Sequence, residues 1–152
     1  MPTKEATDAR QVVARVVDPE IPVLTIEDLG VLRSVEVVDG TVVVTITPTY
    51  SGCPAMKQIE DDIVEALHRS GNHDVLVNNV FFPAWTTDWI TKEGHRKLAD
   101  FGIAPPTSPD AVLCPRCASD HPRMVSRFGS TACKALMVCS SCGEPFDYFK
   151  AH

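Results

Sequence analysis

Tyr50-Ser51-Gly52-Cys53-Pro54 is the stretch that ends an apolar strand and begins an amphipathic helix. Gly52 allows a sharp turn that a side chain would resist, and Pro54 suits the first helical position because no N–H is needed there. Cys53 is therefore expected at or beside the helix N-cap, where free backbone N–H groups and the helix dipole favour a thiolate. The alternative is that Cys53 is a small buried hydrophobic residue, as most free cysteines are. Local sequence leaves both interpretations open.

The segments around this stretch predict a sheet with a helix packed on it. Residues 31–38 and 41–47 are rich in β-branched side chains, and Asp39-Gly40 between them is typical of a two-residue type I′ hairpin turn. From residue 54 to about 70, apolar residues recur at three- and four-residue steps, which predicts a helix with one buried face. Residues 75–82 predict a third strand.

Two flanking segments predict further helices. Residues 7–17 carry valines at helical spacing, and Asp18-Pro19-Glu20-Ile21-Pro22 ends that pattern because each proline disfavours the helical conformation of the residue before it. From Trp85 the apolar pattern predicts one helix that runs to about Asp100, with Gly102 as its terminator.

A proline-rich stretch, residues 104–109, is the only segment that is typical of a linker. The domain boundary is therefore predicted between residues 104 and 105. The predicted fold class is α+β. A compact domain with the order helix, β-hairpin, helix, strand, helix occupies residues 1–104, and a small β domain occupies residues 105–152.

Composition and charge exclude several function classes. The chain has 152 residues and a formal net charge of −6, so neither nucleic acid nor an anionic membrane surface is an expected partner. The N-terminal residues do not form an apolar signal segment, and no apolar run approaches the ~20 residues of a membrane-spanning helix. We expect a cytoplasmic protein whose thiols stay reduced. A homodimer is left open by the sequence.

Four of the six cysteines form two Cys-x-x-Cys pairs. Cys114 and Cys117 precede Cys139 and Cys142 by a 21-residue spacer, and two such turns can complete a tetrahedral site. The clustering favours a metal over disulfides in a cytoplasmic chain. A unit of about 40 residues rarely folds alone, whereas a structural zinc can contribute roughly 10–16 kcal/mol. The pattern predicts a zinc ribbon, with a rubredoxin-like iron as the alternative metal.

Short strands are predicted around these cysteines, at residues 123–128, 135–138 and 146–149. Gly143, just after the second pair, permits the positive φ that such turns often need. Cys133 lies between the pairs. A strand residue is the favoured interpretation of it, and an accessory metal ligand is the alternative.

The sequence lacks the motifs of the enzymes with which such a chain could be associated. It contains no glycine-rich phosphate loop and no nucleophile elbow. A di-iron bundle needs two Glu-x-x-His motifs on different helices, and the chain has only one, Glu65-Ala66-Leu67-His68. It also lacks the glycine fingerprint of a nicotinamide or flavin domain. Catalysis by this chain itself is therefore not expected.

Three motifs together resemble the MIP18 (DUF59) family of iron–sulfur cluster assembly factors, over roughly residues 7–104. They are Asp18-Pro19-Glu20-x-Pro22, Asp28-Leu29-Gly30 and Thr47-x-Thr49-x-x-Gly52-Cys53-Pro54. The resemblance implies a compact α/β fold for this part of the chain.

Nearly the full length resembles the PaaD family of accessory proteins in phenylacetate degradation. The similar stretches are residues 47–56, 85–90, 128–131 with Cys133-Lys134, and 142–150. The resemblance implies iron–sulfur maturation in the phenylacetyl-CoA epoxidase (oxygenase) system. The reductase would be the client, and general cluster-assembly machinery would be a second partner. The alternative is a stoichiometric small subunit or adaptor of the oxygenase that transfers no cluster.

The resemblance also favours the interpretation of Cys53 as a reactive thiol over that of a packed residue. Such a thiol would transiently bind iron, sulfur or a nascent cluster. The residues expected to form the rim of its site are Asp18, Glu20, Thr47, Thr49 and Gly52. The alternative for Asp18, Glu20 and Asp28 is that they are ordinary loop carboxylates that cap helices. The expected cofactors are a structural Zn²⁺ at the four paired cysteines and a transient iron or iron–sulfur cluster at Cys53. A cluster bound at the ribbon itself is a further alternative.

Overall fold

A computed structural model describes residues 3–49 and 54–151 of the chain. Tyr50-Ser51-Gly52-Cys53 lies outside the described residues, and with it the predicted turn and its thiol. The chain divides into two compact units, residues 1–91 and residues 92–152.

The first unit is built on a three-stranded sheet with the strand order β1-β2-β3. Its elements in chain order are α1 (Lys4–Val13), β1 (Leu32–Val38), β2 (Thr41–Ile46), α2 (Ala55–Arg69) and β3 (Val75–Asn79). β1 and β2 are antiparallel, and β3 lies parallel to β2. The predicted hairpin is confirmed, because Asp39 and Gly40 both have the positive φ of a type I′ turn, 50° and 80°.

The apolar core of this unit uses the alternation and the helical spacing seen in the sequence. Every second residue of β2 is buried: Val42, Val44 and Ile46. The helix α2 buries one face, formed by Ala55, Met56, Ile59, Ile63 and Leu67. Each large side chain of this face contributes roughly 1.5–3 kcal/mol on burial, so the face fixes α2 in the unit. The helix predicted from residue 54 is confirmed, with Pro54 as its N-cap residue.

The first helix begins and ends earlier than the valine pattern predicts. It begins after Thr3, whose side-chain oxygen accepts a hydrogen bond from the N–H of Ala6 at 3.1 Å. It ends at Val13 and does not reach Val17, because Val17 forms an antiparallel β-bridge with Thr25. Pairing between distant residues therefore overrides helical spacing here.

The single helix predicted from Trp85 to Asp100 is wrong. The structure has one 3₁₀ turn at Thr87–Trp89, an extended Ile90 with ψ 129°, and then α3 (Lys92–Asp100). The break has a tertiary cause, since the indole N–H of Trp85 donates to the carbonyl of Leu29 at 2.8 Å. The N–H of Thr91 likewise donates to the carbonyl of Asp28 at 2.9 Å.

The second unit contains α3 and a four-stranded sheet with the order β4-β7-β6-β5. The strands are β4 (Ile103–Ala104), β5 (Pro122–Ser126), β6 (Lys134–Cys139) and β7 (Pro145–Phe149). The three strands predicted for the ribbon are confirmed, with ends that differ by a few residues.

The proline-rich stretch is more closely packed than a free spacer. It begins inside the sheet, because Ala104 belongs to β4, which pairs with β7. The hydroxyl of Tyr148 donates a hydrogen bond to the carbonyl of Thr107. The boundary between residues 104 and 105 stays a prediction, and α3 and β4, which precede it, belong to the second compact unit.

The core of the ribbon includes two of the paired cysteines. Its buried cluster consists of Ala104, Val112, Cys114, Ala135, Met137, Cys139, Phe146 and Tyr148. Among the described residues, no helix has both the length and the apolar character needed to cross a membrane.

Candidate functional site

Two turns of the same design present the paired cysteines. In the first, the N–H of Ala118 donates to the carbonyl of Cys114 at 2.8 Å, and in the second the N–H of Gly143 donates to the carbonyl of Cys139 at 2.9 Å. Ala118 and Gly143 both have positive φ, 62° and 78°. The conformation expected for Gly143 is thus confirmed. Ala118 adopts it at a cost of roughly 1–2 kcal/mol for its side chain.

Backbone N–H groups in each turn point at the first sulfur of its pair. Cys114 Sγ lies 3.4 Å from the N of Arg116 and 3.5 Å from the N of Cys117, and Cys139 Sγ lies 3.5 Å from the N of Cys142. The N–H of Cys142, against the effect of burial, lowers the pKa of the Cys139 thiol to about 6. The N–H groups of the second turn therefore favour a thiolate at Cys139.

The four sulfur atoms converge on one point. They all lie within 4.8 Å of one another, with 3.8 Å between the Cys114 and Cys142 sulfurs and 3.6 Å between those of Cys117 and Cys139. Four thiolates about 2.3 Å from a zinc ion would be about 3.8 Å apart in a tetrahedron. All four cysteines are free. The donor set therefore fits a metal ion in a closed, all-protein site, and the thiolate set fits zinc or iron.

Cys133 is not part of this cluster. It lies just before β6, is buried, and places its sulfur 3.0 Å from the hydroxyl oxygen of Thr131. The four paired cysteines supply a full tetrahedral set without it. Cys133 thus lies in the turn before β6 and not in a strand, which corrects the favoured interpretation of it as a strand residue. The geometry of the metal cluster gives it no place as a ligand.

Two of the acidic residues in the family motifs brace their own loops. Asp18 Oδ1 accepts hydrogen bonds from the N–H groups of Glu20 at 2.7 Å and Ile21 at 2.9 Å. Asp28 Oδ2 accepts one from the N–H of Thr25 at 3.0 Å. Both carboxylates are buried and bonded to backbone N–H groups of their own loops, as ordinary loop carboxylates are, but neither is the N-cap residue of a described helix.

Thr47 differs from these residues because its hydroxyl oxygen is unpaired. Its backbone N–H donates to the carbonyl of Val31 at 2.9 Å, at the end of β2. The side chain is only 1% exposed, yet Oγ1 has no hydrogen-bond partner among the described residues. Almost all buried polar groups are paired, so an orphaned hydroxyl indicates strain or an absent ligand. Thr49 lies two residues on and is half-buried.

The rim predicted around Cys53 can be placed only in part. Asp18, Glu20, Thr47 and Thr49 belong to the first unit, whereas Gly52 and Cys53 lie outside the described residues. Backbone hydrogen bonds anchor the loops that carry them, since Asp18 N–H donates to Leu24 and Thr47 N–H donates to Val31. Their assembly into one site around the thiol stays a prediction.

Trp85 and Trp89 form a clamp over the Asp28-Leu29-Gly30 loop that was not predicted from the sequence. Trp85 bonds to this loop through its indole N–H, as described above, and the guanidinium of Arg33 lies 3.9 Å from the ring centre of Trp89. Gly30 has φ +76°, and a Cβ there would lie 2.5 Å from the carbonyl oxygen of Trp89. The sequence offers one indication of this clamp, the spacing of two tryptophans after a proline. The same spacing also fits one face of a helix, so it does not distinguish the two structures.

Two family models match this chain in succession. Residues 7–78 match the model described as "Iron-sulfur cluster assembly protein", and residues 102–150 match the one described as "PaaD zinc beta ribbon domain". The first match contains β1, β2, α2 and the positions of the predicted rim. The second contains all four paired cysteines.

Relatives and solved structures divide in the same way. A protein from Escherichia coli (strain K12), named as a putative subunit of 1,2-phenylacetyl-CoA epoxidase, is 50% identical over 144 residues, which cover 90% of this chain and 87% of that protein. A "Fe-S protein maturation auxiliary factor" from Porphyromonas gingivalis is 37% identical over 95 residues, or 60% of this chain and 88% of that one. A crystal structure of a DUF59 domain from Bacillus anthracis superposes with TM-score 0.57 and 26% identity, covering 61% of this chain and 90% of that domain.

Proposed function

The chain belongs to the PaaD family, and from this premise we propose that it is an iron–sulfur maturation factor of the phenylacetyl-CoA epoxidase system. The observation that carries the proposal is that an iron–sulfur assembly domain and a PaaD ribbon follow one another in one chain. A relative named as a maturation factor matches 60% of the chain, whereas a relative named as part of an epoxidase matches 90% of it. The ribbon therefore distinguishes this chain from a general maturation factor.

Cys53 is the proposed carrier of iron, sulfur or a nascent cluster, which is the cargo of the protein. Support comes from the helix that follows it: the N-cap residue Pro54 provides no side-chain cap, and the first turn of α2 contains no acidic residue. The positive end of a 15-residue helix is thus not neutralised by its own side chains. Such a helix start stabilises a thiolate and an anionic cargo.

Thr47 is the proposed second contact of the cargo. Its buried hydroxyl can donate one hydrogen bond, and a sulfide or thiolate at the end of β2 would accept it. Asp18 and Asp28 hold the neighbouring loops in place through backbone bonds. Their proposed role is therefore to position the rim.

A carrier with one protein thiolate suits transfer better than storage. Stable clusters are usually held by four cysteines, so a cluster bound through one leaves positions for the thiolates of a client. Each incoming client thiolate replaces an existing ligand, and this exchange needs no change of oxidation state. We propose the reductase of the epoxidase system as the client.

We propose that the ribbon holds a structural zinc. The site is closed by four protein sulfurs, which is typical of structural and not of catalytic zinc. A colourless protein with one zinc per chain is expected after anaerobic purification. Visible absorption with bound iron that persists in Cys53→Ser would instead indicate a rubredoxin-like iron or a cluster at the ribbon.

The test is the cluster content of the client in cells with and without this chain. We expect the reductase made without this chain to lack iron and acid-labile sulfide, and expression of the chain to restore both. A reductase that is fully loaded in cells lacking the chain would contradict the proposal.

The name of the Escherichia coli relative favours a second candidate, a stoichiometric subunit or adaptor of the epoxidase. It predicts that the chain co-purifies at fixed ratio with the active enzyme. Full turnover by a reconstituted, mature epoxidase without this chain would remove that candidate and leave maturation.

A further inference from the structure

The strand β5 forms an exposed apolar edge of the ribbon. It is the last strand in the order β4-β7-β6-β5 and pairs only with β6 among the described strands. Met124 is 44% exposed, Val125 is 50% exposed, and Phe128, just after the strand, is 64% exposed. The pairing with β6 shifts by one residue between Met124 and Ser126, so Val125 lies at a bulge where the alternation of the strand is interrupted. Both apolar side chains are nevertheless exposed, and no described strand pairs with the outer edge of β5.

Phe128 is held in its exposed position by the surrounding residues. Its N–H donates to the hydroxyl oxygen of Ser126 at 3.2 Å, and that hydroxyl donates to its carbonyl at 2.8 Å. Lys150 Nζ lies 4.4 Å from the centre of its ring. The next residue, Gly129, lies close to Asp147, since a Cβ there would be 2.7 Å from Asp147 Oδ1 and would require that side chain to shift. Phe128 is thus a preorganised aromatic anchor, which lowers the entropic cost of binding.

This edge is basic in a chain that is acidic overall. The chain carries 20 acidic and 14 basic side chains, yet residues 121–143 contain no Asp or Glu. Arg123 and Arg127 on this segment are both exposed. A third cation, Lys150, donates to the carbonyl of Arg127 at 2.8 Å. The edge therefore presents three cations beside its apolar residues.

The charge decides between a second copy of this chain and a foreign segment. Of the two arginines only Arg123 belongs to β5, and Arg127 follows its end. In-register parallel self-pairing, and antiparallel self-pairing centred on Arg123, would each place Arg123 opposite its own copy. Like charges directly opposite destabilise a sheet, whereas opposite charges stabilise it. Arg123 thus disfavours self-association and favours an acidic strand.

We propose that the edge of β5 docks an extended acidic segment of a partner protein as a further strand of the ribbon sheet. Main-chain hydrogen bonds would supply affinity, and the arginines with Phe128 would supply specificity. The identification of the partner as the iron–sulfur client rests on the proposed function. The docking site itself is inferred from the exposed edge, its charge and Phe128, and is independent of that function.

The test uses the full chain with its metal and a ten-residue probe peptide that alternates glutamate and valine. We expect it to bind in a fluorescence anisotropy titration and to protect amides among residues 123–126 from hydrogen exchange, since Pro122 has no N–H. Arg123→Glu and Arg127→Glu should each weaken binding about tenfold, since each turns an opposite-charge pair into a like-charge pair. Arg15→Glu makes the same charge change in the first unit and should leave affinity unchanged. Unchanged metal content in every variant shows that the ribbon still folds.

Three results would overturn the docking site. They are equal binding of a peptide with lysine in place of glutamate, equal binding of an oligothymidylate, and peptide binding without protection of β5. Cys53→Ser separates this proposal from the transfer function. If the Cys53→Ser chain still binds the peptide and its client acquires a normal cluster, the result contradicts transfer through Cys53 but not docking. If the unaltered chain loads its client but does not bind the peptide, the result contradicts docking but not transfer.

Discussion

The two units of this chain differ in the surroundings that they give their cysteine thiols. In the ribbon, four sulfurs lie within 4.8 Å of one another, and the first of each pair receives backbone N–H groups. In the first unit, the candidate site has one thiol in its sequence, and its Thr47 hydroxyl is buried without a partner among the described residues. The ribbon is thus a satisfied site that suits a permanent metal, whereas the first unit is an unsatisfied one that suits a passing ligand.

Removal of the metal gives the largest expected difference between the units. A chelator that strips the ribbon should abolish exchange protection in β6 and β7, because metal binding contributes roughly 10–16 kcal/mol to such folds. The helix α2 and the strand β2 should keep theirs, since their buried faces contain no metal ligand. Hydrogen exchange at single-amide resolution measures both at once. Simultaneous loss of protection in both units would break the comparison.

Two glycines with matching backbone conformation, one in each unit, give the next test of the comparison. Gly30 and Gly143 have nearly the same φ, +76° and +78°, but a Cβ on Gly30 would lie 2.5 Å from the carbonyl oxygen of Trp89, whereas Gly143 faces open space. Gly30→Ala should lower the free energy of unfolding by about 3 kcal/mol, from backbone strain plus overpacking. Gly143→Ala should cost about 1 kcal/mol, from strain alone. Urea unfolding measures both, and equal costs would contradict the clamp over the Gly30 loop.

Thr47→Val tests whether the first unit keeps an unsatisfied group for function. Replacing an unpaired buried hydroxyl with a methyl group should raise the free energy of unfolding by about 1 kcal/mol, because the cost of burying the hydroxyl disappears. The same variant should load its client with less iron. Thr45→Val, at a half-buried position of the same strand, is the control and should change neither. A destabilised Thr47→Val would show that the hydroxyl has a structural partner.

The smallest effect is expected at Ala118, which holds in the first cysteine turn the left-handed position that Gly143 holds in the second. Ala118→Gly removes side-chain strain but adds freedom to the unfolded chain, so a gain of less than about 1 kcal/mol is expected. The chelator concentration at half-loss of metal should rise slightly. A fall would mean that the two turns are not equivalent.

Local patterns predicted those parts of the molecule that local geometry determines. Asp39-Gly40 fixes its hairpin through two positive φ values, and the spacing of Cys114, Cys117, Cys139 and Cys142 brings four sulfurs together through two short turns. Within α2 the three- and four-residue steps identify the buried face. In each case the decisive contacts lie between residues close in sequence or on one repeating face.

The remaining features depend on contacts that no local pattern contains. Helical spacing around Trp85 and Trp89 is overridden by bonds to the carbonyls of Leu29 and Asp28, which lie far away in the sequence. The unpaired hydroxyl of Thr47 is visible only once its surroundings are packed. The proposed site around Cys53 would combine residues from loops in several parts of the chain, so the sequence could suggest its members but not their arrangement.

Transfer through Cys53 is the central claim, and a purified two-protein assay tests it most directly. The apo-reductase is incubated anaerobically with the cluster-loaded chain, and its iron and sulfide are measured after the two proteins are separated. Cys53→Ser should leave the reductase empty, whereas Cys133→Ser, which alters a buried thiol outside the metal cluster, should load it as the unaltered chain does. A reductase loaded equally through Cys53→Ser would contradict the account.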